Sequence, residues 1–229
     1  MAHISMDLET LGTSPGCAVL SIGATVFDPY GDTVDALNSR TTFYRNINLL
    51  DCLFNGLVIE QKSLDWWKGP SVTTEAQRAL LKPAPVWLYE AVDDFANWFK
   101  DMDGVEIWFR GPHFDAVIWE AACKAIGREP PWKFWDVKDC RTMDFVSGFD
   151  PKQLPRVGTF HNGLGDAITQ AIAIQHQLRL ISTRKQQGGG VDVAGAGATE
   201  KDDSVPEGDR SVSPTNGGVP GGPLVGGSS

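Results

Sequence analysis

Cysteine is scarce: the 229-residue chain has four, Cys17, Cys52, Cys123 and Cys140. None forms a Cys-x-x-Cys pair or falls at zinc-site spacing, which excludes a structural zinc module and predicts buried thiols in a reducing compartment. No apolar run is long enough to span a bilayer, and the first residues lack a signal-peptide pattern, so a cytoplasmic protein with no membrane partner is expected. Basic residues are outnumbered: 20 Lys and Arg against 29 Asp and Glu give a net charge of −9. A broad positive surface for nonspecific capture of nucleic acid is thereby excluded. There is no internal repeat.

Aromatic residues disappear beyond Gln187, where Gly, Ser, Pro and Asp take over; all eight Trp lie before that point. A segment of this composition cannot bury enough apolar surface to offset its ordering entropy. We therefore read residues 1–182 as one domain and 183–229 as a disordered tail. The tail from Gly188 onward carries −4 of the charge and leaves −5 on the body.

The body opens with His3 to Thr10, where Ile4, Met6 and Leu8 alternate with Ser5, Asp7 and Glu9. A period of two predicts a strand with one buried face, which puts Asp7 and Glu9 side by side about 6–7 Å apart. Such a pair repels unless a cation sits between the acids or one is protonated. An edge strand with two hydrated acids is the plain alternative. Ala18–Phe27 and Thr41–Ile47 read as further strands, separated by the Asp28-Pro-Tyr-Gly31 turn. Short helices broken at Gly56 and Gly69-Pro70 follow, then a helix over Val86–Met102 and a strand over Val105–Phe109.

From Phe114 a helix is predicted with Val117, Ile118, Ala121, Ala122, Ala125 and Ile126 inside, stopped by Gly127. Phe134–Val137 reads as a short strand, Cys140–Val146 as a short helix, and Leu164–Ile181 as the last helix. This order implies an α/β fold: a mixed sheet, antiparallel strands first and parallel strands after, flanked by helices.

Three acidic sites lie where elements begin or end: Asp7 and Glu9, Asp115 at a helix start, and Asp166 in the first turn of the last helix, five residues after His161. Taken alone, Asp115 is as readily a helix N-cap, and Asn162 caps the last helix better than Asp166 does. The order and spacing of Asp7-x-Glu9-Thr10, Phe114-Asp115 and His161-Asn-Gly-Leu-Gly-Asp166 resemble the three motifs of the DEDDh 3′→5′ exonucleases. The resemblance is to the RNase T-like and exonuclease VIII-like branch, with its phage and bacterial members, on an RNase H-like fold. Trp66-Trp67, Asp139-Cys140-Arg141-Thr142 and Gln170 support it. Two departures are Arg110-Gly-Pro-His113 before Asp115, and Gly165 where relatives often carry another acid.

The resemblance implies hydrolysis of phosphodiester bonds at single-stranded or overhanging 3′ ends of DNA or RNA, releasing nucleoside 5′-monophosphates. It implies two Mg²⁺ or Mn²⁺ ions, because oxygen-only ligands suit those metals. Asp7 would bridge both, Glu9 and Asp166 would complete the first, Asp115 would hold the second, and His161 would act as general base. Thr10, Leu11, Trp66, Trp67 and Phe114 are the candidate substrate-binding residues, the aromatic ones by stacking on bases. Glycines 163 and 165 would let the His161 loop move, and a homodimer is a further implication. Two rivals are a catalytically silent nucleic-acid- or partner-binding module on the same fold, and a haloacid-dehalogenase-type phosphatase. The latter needs a second Asp where Glu9 stands, and a lysine in suitable context.

Overall fold

The computed structural model describes residues 2–32, 34, 40–102 and 104–186. The expected tail lies outside the described residues from position 187 onward, and residues 183–186 continue the last helix. Strand β1 (Ala2–Thr10) is the middle of a five-stranded sheet formed with β2 (Val19–Phe27), β3 (Thr42–Asn46), β4 (Val105–Phe109) and β5 (Val137–Asp139). The spatial order is β3-β2-β1-β4-β5. Pairing is antiparallel from β3 to β1 and parallel from β1 to β5, which is the expected RNase H-like arrangement.

A central position settles the status of β1: it is not an edge strand with hydrated acids. Ile4, Met6 and Leu8 are buried in the main core on one face, while Ser5 and Glu9 are buried on the other. On the first face lie α4 (Leu88–Lys100) and α5 (Asp115–Ala125), with Phe95 edge-on to Trp119. The second face is covered by α7 (Gly163–Gln186), which packs along β1, β2 and β3. Helices α1 (Leu49–Phe54), α2 (Gln61–Lys68) and α3 (Thr74–Ala79) fill the connection from β3 to α4 and break at the glycines expected. Helix α6 (Cys140–Ser147) follows β5.

Two local expectations need correction. Residues Phe134–Asp136 form a 3₁₀ turn, and the strand begins only at Val137. Helix α5 is rotated about one residue from the expected stripe: Ala116, Trp119 and Cys123 are buried, whereas Ala125 is exposed. The largest side chain on the helix, Trp119, sets that rotation by entering the core, and the same rotation turns Asp115 inward. Helix α7 buries Gln170, Gln175 and Gln177 besides its aliphatic stripe. Gln175 donates to the Asp28 carbonyl and Gln177 to the Asp144 carboxylate, so both amide nitrogens are bonded. Among the described residues, no helix is long and apolar enough to cross a membrane.

Candidate active site

The sheet opens at the C-terminal end of β1. Parallel pairing with β4 covers only Ala2 to Ser5, so the backbone beyond has lost its neighbour on that side. The Leu8 amide donates instead to Asp115 Oδ1 at 3.1 Å. Asp115 thus stands in for a missing strand and lies 3% exposed against β1. It does not cap its own helix through its side chain: the N-cap position belongs to Phe114, which makes no capping bond. Strand C-terminal ends where a sheet splays are the usual place for a ligand crevice in an α/β fold.

The opposite wall is the start of α7, brought in by direct contact of main chain on main chain. Gly23, which pairs with Asp7 across the sheet, has no room for a side chain: a Cβ there would sit 2.1 Å from both Gly163 C and Leu164 N. A Cβ on Gly163 would lie 3.1 Å from the Asp7 carbonyl, and one on Gly165 would lie 2.8 Å from the Val157 carbonyl. These glycines are therefore needed for close approach, a role distinct from the loop mobility expected of residues 163 and 165. Asn162 caps α7, its side chain accepting from Gly165 N at 3.1 Å, which leaves the Asp166 carboxylate free to face the strand.

With both walls in place, ligand oxygens of Asp7, Glu9 and Asp166 come within 4.8 Å of one another. Gln170, one turn after Asp166, donates to Asp7 Oδ1 at 2.8 Å and fixes that carboxylate. Burial, then Asp115 and Glu9, hold Asp7 well above the usual carboxylate range. Burial and Asp115 push Glu9 up to about 8, and burial pushes Asp115 up to about 7 against the bond from Leu8. The pocket is thus short of positive charge. A donor set made only of oxygens suits a hard divalent ion such as Mg²⁺ or Mn²⁺.

His161 stands at the rim with φ at 59°, a left-handed conformation uncommon for a residue with a side chain and typical of functional sites. Asn162 beside it donates to the Tyr44 hydroxyl, so β3 helps hold this turn. Burial and the Arg156 guanidinium lower the His161 pKa below its ordinary value, leaving the ring neutral at pH 7. The Trp66 ring meets it edge-to-face with centroids 4.7 Å apart.

The two adjacent tryptophans divide as their positions on α2 require. Trp67 is buried and donates from Nε1 to the Thr10 carbonyl at 2.9 Å; Trp66 is 42% exposed at the mouth of the pocket. Thr10 and Leu11 are buried too, the Thr10 hydroxyl donating to the Gly12 carbonyl, and Phe114 is half-buried against the core. Of the five candidate substrate-binding residues, Trp66 presents the open aromatic face.

Sequence reasoning missed Arg156. Its guanidinium is ion-paired with Asp166 and lies 3.9 Å over the Phe160 ring. The available signal was a lone cation in the Pro155–Gly158 stretch just before His161.

The model of the Rv2179c-like 3′-5′ exoribonuclease domain family matches residues 2–178. No curated protein matches the chain. Among solved structures, the nuclease domain of 3′hExo, a DEDDh family member bound to rAMP, is similar at 12% identity, covering 82% of this chain and 92% of that one, with a TM-score of 0.46. The RNase domain of the yeast Pop2 protein is similar at 13% identity over 80% and 78%, with a TM-score of 0.47. Cell-death related nuclease 4 is similar at 12% identity over 78% of this chain, with a TM-score of 0.47, and this chain spans 64% of its length. The family model takes in every strand of the sheet and all four acids, so the chain belongs to the Rv2179c-like 3′-5′ exoribonuclease family and is a 3′→5′ exonuclease.

Proposed function

We propose that the protein removes nucleotides one at a time from single-stranded or overhanging 3′ ends of RNA, releasing nucleoside 5′-monophosphates in a reaction that requires two divalent metal ions. The observation that carries this reading is the meeting of Asp7, Glu9 and Asp166 within 4.8 Å, with Asp115 buried beside them and an imidazole at the rim. RNA is favoured over DNA by the description of the family. That family leaves no place for the phosphatase alternative.

Asp7 would be shared between the two ions, Glu9 and Asp166 would complete the site of the first, and Asp115 would serve the second. Bound there, Mg²⁺ or Mn²⁺ supplies positive charge to the phosphoryl oxygens and makes water a better nucleophile. His161, neutral through its lowered pKa, takes the proton of the attacking water. Gln170 keeps Asp7 oriented, and the exposed face of Trp66 stacks on a terminal base, an interaction open to any sequence. The four buried thiols agree with a reducing compartment such as the cytoplasm.

The test is digestion of matched 5′-labelled RNA and DNA oligonucleotides, single-stranded and with 3′ overhangs, in Mn²⁺ or EDTA. We expect a ladder of products shortened from the 3′ end, in Mn²⁺ only and faster on RNA, and none from Asp115→Asn. Asparagine is the right replacement because its carbonyl can still accept from Leu8, whereas alanine would also orphan that buried amide. Full activity in Asp115→Asn, or in EDTA, would overturn the assignment.

A further inference from the structure

Arg156 lies between a 3₁₀ turn (Pro151–Gln153) and α7, on backbone that is firmly tied. The Val157 amide donates to Thr169 Oγ1 at 3.1 Å, and that hydroxyl donates to the Gly165 carbonyl at 2.7 Å. From there the guanidinium reaches Asp166, with its charge felt by Asp7, Glu9 and His161. One face lies on Phe160, a ring 59% exposed. The Nε atom is buried and has no hydrogen-bond partner among the described residues. The group is thus anchored at its base and incompletely bonded at its head.

We propose that Arg156 is an internal counter-cation that shares Asp166 with the metal: the guanidinium holds this carboxylate while no ion is bound and gives it up when one is. The proposal rests on the metal-dependent reading above. Three physical points support it. The Asp166 oxygen paired with the guanidinium cannot give the same lone pair to an ion, and a positive group beside a divalent cation is repelled. Arginine stays charged at any working pH, so it leaves the carboxylate by moving rather than by losing a proton. The Phe160 face gives the guanidinium a favourable seat on the same side chain's arc, so release from Asp166 does not strand it unpartnered.

The role is that of a positioning residue, and its readout is metal affinity. Binding of Mn²⁺ is measured by calorimetry on the full chain, for the native protein, Arg156→Gln and Arg156→Lys, together with thermal unfolding in EDTA and in saturating Mn²⁺. Arg156→Gln should bind Mn²⁺ on the order of tenfold more tightly, since a nearby like charge is removed. It should unfold at a lower temperature in EDTA, and saturating Mn²⁺ should remove most of that difference. Arg156→Lys keeps the charge and should stay near the native affinity.

A variant that folds only with Mn²⁺ supports the proposal; equal loss of stability with and without Mn²⁺, or Mn²⁺ binding no tighter than in the native protein, overturns it. If the native protein binds Mn²⁺ and Arg156→Gln binds it equally, only the role of Arg156 fails. If neither binds Mn²⁺, the metal-site reading fails and takes this proposal with it.

Discussion

Replacing Glu9 with Gln keeps the shape of a buried side chain and removes one of the charges that crowd the pocket. The ligand oxygens of Asp7, Glu9 and Asp166 lie within 4.8 Å of one another, and two like charges at that spacing repel by about 3.5 kcal/mol at an effective permittivity near 20. Arg156 offsets part of this, so a net relief of about 2 kcal/mol is a reasonable magnitude for the ion-free protein. The relief depends on pH. Burial first, and the Asp115 charge after it, raise the folded-state pKa of Glu9 to about 8 from the ordinary 4.5, so its ionisation costs stability progressively as pH rises from the lower value through the higher.

Glutamine does not titrate. In EDTA, Glu9→Gln should therefore raise the unfolding temperature by about 4–8 °C above pH 8 and leave it nearly unchanged near pH 5. Saturating Mn²⁺ should reverse the ranking, because the native protein gains a ligand-dependent stabilisation that the variant loses in part. Circular-dichroism melts at the two pH values, with and without the ion, measure all four cases. A variant less stable than the native protein in EDTA at high pH, or a gain that persists at pH 5, would refute the charge-crowding account.

Other outcomes follow from the same geometry. His161→Ala should reduce turnover by about 10²–10⁴-fold with little effect on oligonucleotide binding; equal losses in single-turnover rate and in binding would argue against a proton-transfer role. Trp66→Ala should weaken binding of single-stranded ends by about 1–3 kcal/mol without altering the melting temperature. Trp67→Ala should instead destabilise the fold by about 3–5 kcal/mol in urea titration, because its ring is buried and its Nε1 bonds the Thr10 carbonyl. Asp115→Ala should be less stable than Asp115→Asn by about 1–3 kcal/mol, the cost of leaving the Leu8 amide unpaired.

Much of this arrangement was legible in the order of residues. Alternation over Ile4–Glu9 set the two acids on one face, and the aliphatic spacing from Leu164 to Ile181 marked the last helix. What periodicity could not say was that this strand is central, because sheet order depends on which distant segments pair. It also misjudged the rotation of α5: a pattern rich in alanine gives a broad stripe, and one Trp decides which edge of it is buried. The burial of Gln175 and Gln177 has no signature in periodicity, because an amide gives no sign of being inside until its partners, the Asp28 carbonyl and the Asp144 carboxylate, are known. Arg156 was missed for a similar reason, since a lone cation before His161 gives no sign of its partner. Its significance lies wholly in what it faces, and Asp166 is ten residues away around a turn.

At Gly23 and Gly163 a strand and a helix touch with nothing between them but peptide units. Elsewhere in the molecule evolution can widen or narrow a gap by exchanging one side chain for a larger or smaller one. Here no such dial exists: the smallest addition wedges the two walls apart and carries Asp7 away from Asp166. The span between those carboxylates is inherited from the main chain, and retuning the pocket for another ion would have to proceed through the donors themselves.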